Sequence, residues 1–424
     1  MDNKNYKKRI IDSKIDLYLD TFGAVLIEGP KWCGKTWTGH HHCQSEFLLS
    51  DPKGNFGNRQ LASIDPELAL KGKAPRLIDE WQEVPSIWDA VRSEVDADQG
   101  KGRFILTGSS AIDKSSYIHS GTGRIAHLRM RTMSLYEEGI STGKVSLRDI
   151  CLGNHISDYN EDISLQKIVG CILKGGFPGS MGLSVQQGML IAKEYMKSVI
   201  SEDIDKAGKV KRDKRKVQLL LRSLARNEAT TASKKTLIGD ISEKDGNDIS
   251  IDALSDYLNL LNDLYLIEEI PPFSSNIRSS LRVKQSAKRH FVDPSLPASI
   301  LNLTEDKLLG DPNTLGFLFE SMVERDLLTY VDAFGGKLFH YQDYKGNEID
   351  AIIESPDGSW CGIEIKLGGN QIDKAAENLL RINGLIVGKG GKGAKSLCVI
   401  AGVANAAYRR QDGVYVVPIT SLKD

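Results

Sequence analysis

Short apolar runs set the frame of the first part of the chain. A basic, amphipathic N-terminal segment leads into residues 24–27, an unbroken apolar run that reads as a buried strand. Residues 76–79 and 103–106 are two more such runs, each ending in polar residues, with helical stretches between them. Strands alternating with helices predict a parallel α/β sheet. From about residue 149 to 226 the pattern turns helical, broken by the turn GGFPG at 175–179. Ile251, Leu254, Leu258 and Leu261 then recur at helical spacing behind Ser250, a residue suited to cap that helix. Pro271 and Pro272 close this unit. Beyond Phe291 a helix over 314–330 precedes three short strands, a helix over 371–382 and two last strands, 397–401 and 414–418. Neither an internal repeat nor a low-complexity tract interrupts the pattern.

Composition narrows the class. A chain of 424 residues has room for about two or three domains, each with its own core. The balance of 40% hydrophobic and 26% charged residues fits a soluble globular protein. A formal charge of -1 excludes a global polyanion-binding surface, so any nucleic-acid contact has to be a local patch. The six cysteines are scattered and form no CxxC pair, which argues against a disulfide framework or structural zinc and fits a reducing cytoplasm. The start is polar and lacks the apolar core of a signal peptide. The longest apolar run, around 397–408, is too short to cross a bilayer, so no membrane partner is expected.

Chemistry concentrates first behind the strand at 24–27. Gly29-Pro30-Lys31-Trp32-Cys33-Gly34-Lys35-Thr36 fits G-x-x-x-x-G-K-[ST] at every fixed position, with Trp37 following. The glycines let the backbone curl so that its N–H groups face phosphate oxygens, and the next helix adds its positive end. Lys35 is expected to reach the β- and γ-phosphates, and the Thr36 hydroxyl to hold Mg²⁺. Residues 29–37 together make the expected ATP cradle. Leu77-Ile78-Asp79-Glu80 supplies the partner motif, with Asp79 toward the magnesium and Glu80 orienting or deprotonating the attacking water. Ser109 is either a γ-phosphate sensor or a turn serine. Arg124, in GTGR, is either an arginine finger working across a subunit boundary or a solvated arginine, with Arg129 and Arg131 as competitors. Cys33 invites a redox role, but a small space-filling residue explains it better. His40, His41, His42 and Cys43 point in different directions on a helix and cannot converge on one metal ion.

In order, GPxxxGKT, hhDE, a strand ending TGSS, GR and LYEEG resemble a prokaryotic family of AAA-superfamily ATPases that carry a C-terminal domain of unknown function. The GGFP turn, the segment YLNLLNDLYLIEEIPPFSSNI and FVDPSL extend the resemblance over nearly the whole chain. It implies an ATP- and Mg²⁺-binding AAA-like core over 1–150, a helical lid or linker over 151–215, a winged-helix-like segment over 216–290 and a nuclease-like α/β fold over 291–424. It also implies a homo-oligomeric ring, such as a hexamer. Trp32 and Cys33 depart from the small or aliphatic residues usual in that family's loop.

Two further groups of residues bear on partners. The basic run at 206–216 and Arg278, Arg282, Lys284, Lys288 and Arg289 flank a three-helix pattern that resembles a winged helix. Such a fold either lays basic residues on DNA phosphates or serves as a packing spacer. Farther on, Asp350 sits on one strand and Glu364 and Lys366 on its hairpin partner, two apart and so on one face, opposite Ile363, Ile365 and Leu367. With Glu320 on the preceding helix this is the D…ExK pattern of PD-(D/E)XK nucleases. Asp350 and Glu364 are expected to hold a second Mg²⁺ through hard oxygens, Lys366 to position or activate the nucleophile, and Glu320 to complete the acidic pocket. A fold that has lost cleavage and kept binding explains the same residues.

The sequence thus leads to an α/β ATPase that acts on DNA, with or without cutting it. The alternative is a nucleotide-dependent switch whose partner is a protein. A small-molecule kinase fits less well, because the added domains show no acceptor-pocket motif.

Overall fold

The computed structural model of the protein describes residues 6–109, 120–159, 163–204, 213–242, 249–276, 279–280, 282 and 285–424. Residues 206–212 of the basic run, Arg278 and Lys284 lie outside the described residues. The chain packs as two compact units: Met1–Thr132 with Leu260–Leu266, and Met133–Asn259 with Ile267–Asp424. The first unit ends at Thr132 apart from Leu260–Leu266, and the second takes in the helical middle and the C-terminal part.

In the first unit, helix α1 (Asp12–Leu19) precedes strand β1 (Ala24–Glu28), helix α2 (Lys35–His42) and β2 (Ser45–Leu48). Then come β3 (Arg76–Asp79), α3 (Ser86–Asp98), β4 (Phe104–Gly108) and β5 (Ile125–Arg129). The five strands run parallel in the order β2-β3-β4-β1-β5. Both faces are covered, which is why the strands read as continuous apolar runs. Ala24 and Leu26 pack with Ile78, Trp88 and Leu106 on one side, while Val25 and Ile27 pack with Ile15, Leu77 and Ile105 on the other. The register pairs Glu28 with Gly108 and Asp79 with Thr107, so the ends of β1, β3 and β4 line up where the phosphate loop begins.

The middle segment is helical: α4 (Leu165–Lys174), α5 (Val185–Ser198), α6 (Lys214–Arg226), α7 (Lys234–Ile241) and α8 (Ile251–Asp263). Ser250 accepts the Ala253 N–H at 3.1 Å and so caps α8. The antiparallel ribbon of β6 (Ile267–Ile270) and β7 (Lys288–Phe291) follows. Thr230 bridges Arg289 on its far side.

The C-terminal part is built from α9 (Ser295–Ile300), the long helix α10 (Pro312–Ala333), β8 (Lys337–Gln342), β9 (Glu348–Glu354) and β10 (Trp360–Gly368). It continues with α11 (Ile372–Gly388), β11 (Ser396–Val403), β12 (Ala406–Arg409) and β13 (Tyr415–Pro418). Strands β8, β9 and β10 form an antiparallel meander, and β11 and β13 extend it in parallel. Strand β12 and the short strand Asp158–Tyr159 complete a seven-stranded sheet. Asp311 caps α10 through the Thr314 N–H at 3.1 Å, ahead of Pro312 in the first turn.

Helix α10 is enclosed on most sides, so its charged residues need partners. Arg325 donates to Asp326 at 2.8 and 2.9 Å and to Asp293 at 3.3 Å. Asp326 in turn accepts the Leu135 N–H at 3.0 Å, and Asp293 accepts the Gly176 N–H at 2.8 Å. Glu138 lies against Lys174 at 3.5 Å. Burial lifts the Glu138 carboxyl to about 7, although Arg325 and Lys174 oppose the rise. LYEEG, GGFP and FVDPSL thus meet at one buried ionic network around Arg325. That network explains the boundary at 132, because residues 134–138 are tied to α10 and leave the first unit.

Candidate functional site

The phosphate loop is held open from below. Gly29 leaves β1 so close to the next strand that a Cβ there would lie 2.1 Å from the Met130 carbonyl oxygen. Trp32 adopts φ 63°, the left-handed region that bulky residues seldom occupy, and its ring is exposed. Gly34, at φ 107°, starts α2. The Cys33 thiol is fully buried and faces the Met130 carbonyl at 3.8 Å, which supports the space-filling reading. Lys35 is buried, with Nζ donating to the carbonyls of Gly29 and Pro30 at 3.0 and 2.8 Å. Trp37 lies exposed on α2. Lys31 is half-buried.

Asp79 is the hub of the site. Its Oδ1 accepts the hydroxyls of Thr36 at 2.8 Å and Thr107 at 2.6 Å. A hydroxyl and a carboxylate oxygen side by side at the phosphate loop are the donor set magnesium prefers, so Thr36 and Asp79 fit that ion. Glu80 has φ 55° and follows directly. Its N–H donates to Thr107 Oγ1 at 3.3 Å, and its Oε2 accepts from Gln82 and, at 3.2 Å, from Ser109. Burial raises the Glu80 carboxyl above its ordinary range; Lys35 opposes this and Asp79 adds to it.

Several residues of this site escaped the sequence reading. Thr107 and Gln82 position the two acids. Arg9 supports the loop itself: buried, it donates to the Cys33 carbonyl and the Arg131 carbonyl, each at 2.9 Å. Glu28, at the end of β1, lies 3.5 Å from His127 and accepts the Tyr265 hydroxyl at 3.0 Å. Thr107 left a trace in the sequence as part of the TGSS strand end, and Tyr265 as part of YLNLLNDLYLIEEIPPFSSNI. Arg124, half-exposed, is ion-paired with Asp96 at 2.7 Å. His40 pairs with Glu46, His42 lies between Asp12 and Asp16, and His41 stacks on Tyr6, so the three histidines have separate partners.

In the second unit, Asp350 on β9 and Glu364 and Lys366 on β10 come together. Lys366 Nζ lies 2.8 Å from Asp350 Oδ2 and 2.6 Å from Glu364 Oε2. Asp350 Oδ2 also takes the Ile365 N–H at 2.7 Å, and Asn378 on α11 holds Glu364 Oε1 at 2.9 Å. Burial and the Asp350 charge lift Glu364 to about 7, whereas Lys366 and Lys288 hold Asp350 below its ordinary range in spite of burial. Ile363 and Ile365 face the core, while Leu367 is only half-buried. Glu320 points to the same region but is bound by Lys288.

Lys288 corrects the basic-patch reading. Its ammonium is buried against Glu320, Glu324 at 2.6 Å and the Asp350 carbonyl at 3.0 Å. Arg282 is likewise spent on Glu354 at 3.0 Å, and Arg289 on Glu269 at 2.7 Å. Each is a basic residue whose neighbours in space are acidic, which spacing along the chain does not reveal. Among the described residues, no group of three or more His, Cys, Asp or Glu side chains is arranged to hold a metal ion. The oxygens of Asp350 and Glu364 suit a divalent cation in kind, with the Lys366 ammonium standing where they converge.

Comparison with known proteins gives three segments. Residues 21–138 match the family model described as AAA domain, and residues 165–307 and 315–422 match two models each described as a domain of unknown function. Uncharacterised proteins of Mycobacterium tuberculosis and Mycobacterium bovis are each 23% identical over 349 residues, 81% of this chain and 70% of theirs. A Walker-type ATPase of Pyrococcus abyssi shares 13% identity at a TM-score of 0.42, covering 70% of this chain and 97% of its own, a likeness too weak to say what either chain does. No helix among the described residues is long and apolar enough to cross a membrane. The segment 21–138 thus joins a parallel five-stranded sheet and a complete phosphate loop to a match with the AAA-domain family model.

Proposed function

We propose that the protein hydrolyses ATP with Mg²⁺ and couples that cycle to DNA engaged by its C-terminal part. The observation that carries the ATP reading is the convergence of Thr36 and Asp79 at 2.8 Å with Glu80 next in the chain. Bound Mg²⁺ would offset phosphate charge. Lys35, now on loop carbonyls, turns to the phosphates. Glu80, held by Ser109 and Gln82, accepts the proton of the attacking water, a role its raised proton affinity suits. Arg124 leaves Asp96 to act on the nucleotide of a neighbouring subunit in a ring. Mixing inactive Arg124→Ala with inactive Glu80→Gln subunits should then restore part of the hydrolysis; a fully active monomer would rule the finger out.

The DNA reading is supported by the convergence of Asp350, Glu364 and Lys366 on one sheet face. Asp350 and Glu364 would hold a divalent cation, and Lys366, a quarter exposed, would turn to the phosphodiester or its nucleophile. The deciding experiment measures ATP hydrolysis with and without duplex, single-stranded and branched DNA, and nicking in wild type and Asp350→Ala. Stimulation by one DNA form, with nicking lost in the variant, is expected. A second reading, a nucleotide switch for a protein partner, is favoured by the pairing of Arg282 and Arg289 with acids. Under it, no DNA form changes the rate and binding to bare DNA is absent at low salt.

A further inference from the structure

We propose that Lys288 is a built-in second cation of the C-terminal carboxylate site, so that the site takes one divalent ion, at Asp350 and Glu364, and never two. The proposal rests on the reading that Asp350 and Glu364 accept a divalent cation.

Lys288 has three donors and three oxygen partners: Glu320, Glu324 and the Asp350 carbonyl. Its side chain is only 8% exposed, against 26% for Lys366. The two lysines therefore differ in kind. Lys366 has a path to solvent and can give up its place between Asp350 and Glu364. Lys288 is far more enclosed, and its strand is pinned on both sides. Lys288 pairs with Ile270 across the ribbon, and Arg289 binds the Ala232 carbonyl at 2.8 Å and Glu269.

The charges agree with one vacancy in the balance. Glu320, Glu324, Asp350 and Glu364 face the two ammoniums of Lys288 and Lys366. The four acids outnumber the two cations, an excess that a divalent ion or protons would meet. Glu324 marks the position that Lys288 fills. It is completely buried, and its second oxygen has no hydrogen-bond partner. An acid so placed needs a cation or a proton, and burial indeed lifts it to about 8. Were the Lys288 ammonium removed, Glu320, Glu324 and the Asp350 carbonyl would form a set of hard oxygens. A cavity of about 270 Å³ is lined by Lys288, Glu320 and Asp350, with Glu324 buried behind Lys288. His340 on its wall is held neutral, its pKa brought down to about 4 by burial and by Lys288, so it adds no competing charge.

The test counts Mn²⁺ bound to the full chain without nucleotide, by the electron paramagnetic resonance of the free ion. Asp350→Ala defines the count belonging elsewhere. Wild type should bind one ion more than Asp350→Ala, and Lys288→Gln should bind two more. Lys288→Met combined with Glu324→Gln, which removes cation and acid together, should return to one and keeps the test usable where Lys288→Gln misfolds. Two ions in wild type, an unchanged count in folded Lys288→Gln, or two in the double variant would overturn the proposal. No ion in wild type with one in Lys288→Gln would sink the Asp350–Glu364 reading while leaving the Lys288 position intact; none in either sinks both.

Discussion

Replacing Arg9 by Met tests whether the phosphate loop is shaped from outside its own motif. Methionine keeps much of the buried stem and removes the guanidinium. The loss strips the Cys33 and Arg131 carbonyls of donors at 2.9 Å. Hydrogen bonds from a charged donor contribute about 1.5–3 kcal/mol each, so Arg9→Met should lower the stability of the first unit by about 3 kcal/mol or more. Part of that loss falls on the loop, because the Cys33 carbonyl is loop backbone. If about 1.4 kcal/mol of the preorganisation is lost, ATP binding weakens tenfold. Urea unfolding followed by tryptophan fluorescence gives the first number, and titration with a fluorescent ATP analogue gives the second. The reasoning fails if Arg9→Met unfolds at the wild-type urea concentration and binds nucleotide with unchanged affinity.

Three other outcomes follow from the same geometry. Glu80→Gln should bind ATP as wild type does yet hydrolyse it about 10²–10⁴-fold more slowly, and wild-type turnover would remove Glu80 from the role of base. Gly176→Ala would place a Cβ 2.1 Å from the Met133 carbonyl oxygen and 2.8 Å from Arg325, so the second unit should lose about 3 kcal/mol in denaturant titration; an unchanged midpoint would contradict the close packing. Glu228, fully buried, accepts the Phe291 N–H and the Ser321 hydroxyl, and burial lifts its carboxyl to about 8. The native state therefore keeps a proton that the unfolded chain releases at its ordinary, lower pKa. The associated stability is complete below the unfolded value and fades as pH rises through about 8, by at most ~1.4 kcal/mol per pH unit. Glu228→Gln should flatten that slope between pH 5 and 9, and a stability difference that does not vary with pH would refute the assignment.

Local pattern was enough for the elements but not for their partners. The strand at 76–79, the Ser250 cap and the helices at 314–330 and 371–382 were legible because each depends on residues a few positions apart. Asp79 was legible as an acid after an apolar run. Its companion Thr107 is 28 positions away, and Arg9 is 122 from the Arg131 carbonyl it holds. Such pairs are made by sheet order, which spacing does not encode. Lys288 misled for the opposite reason. In a row of basic residues it looked solvated, yet Glu320 and Glu324 on α10 meet it one helical turn apart, a coincidence visible only once β7 and α10 are packed. Arg325 and Asp326, hidden inside a long helix with an otherwise apolar face, gave no sign that three separate motifs converge on them.

The Arg325 network also bears on how such a chain can be inherited. A fragment ending at 138 would carry Leu135 and Glu138 without Asp326 and Lys174, and one beginning at 315 would carry Glu320, Glu324 and Arg325 without Lys288 and Asp293. Each would leave polar or charged groups without partners that lie beyond its edge. Recombination at the borders of the family segments would therefore yield unstable products, so the three segments are expected to travel through genomes together, with substitutions in one answered by substitutions in the others.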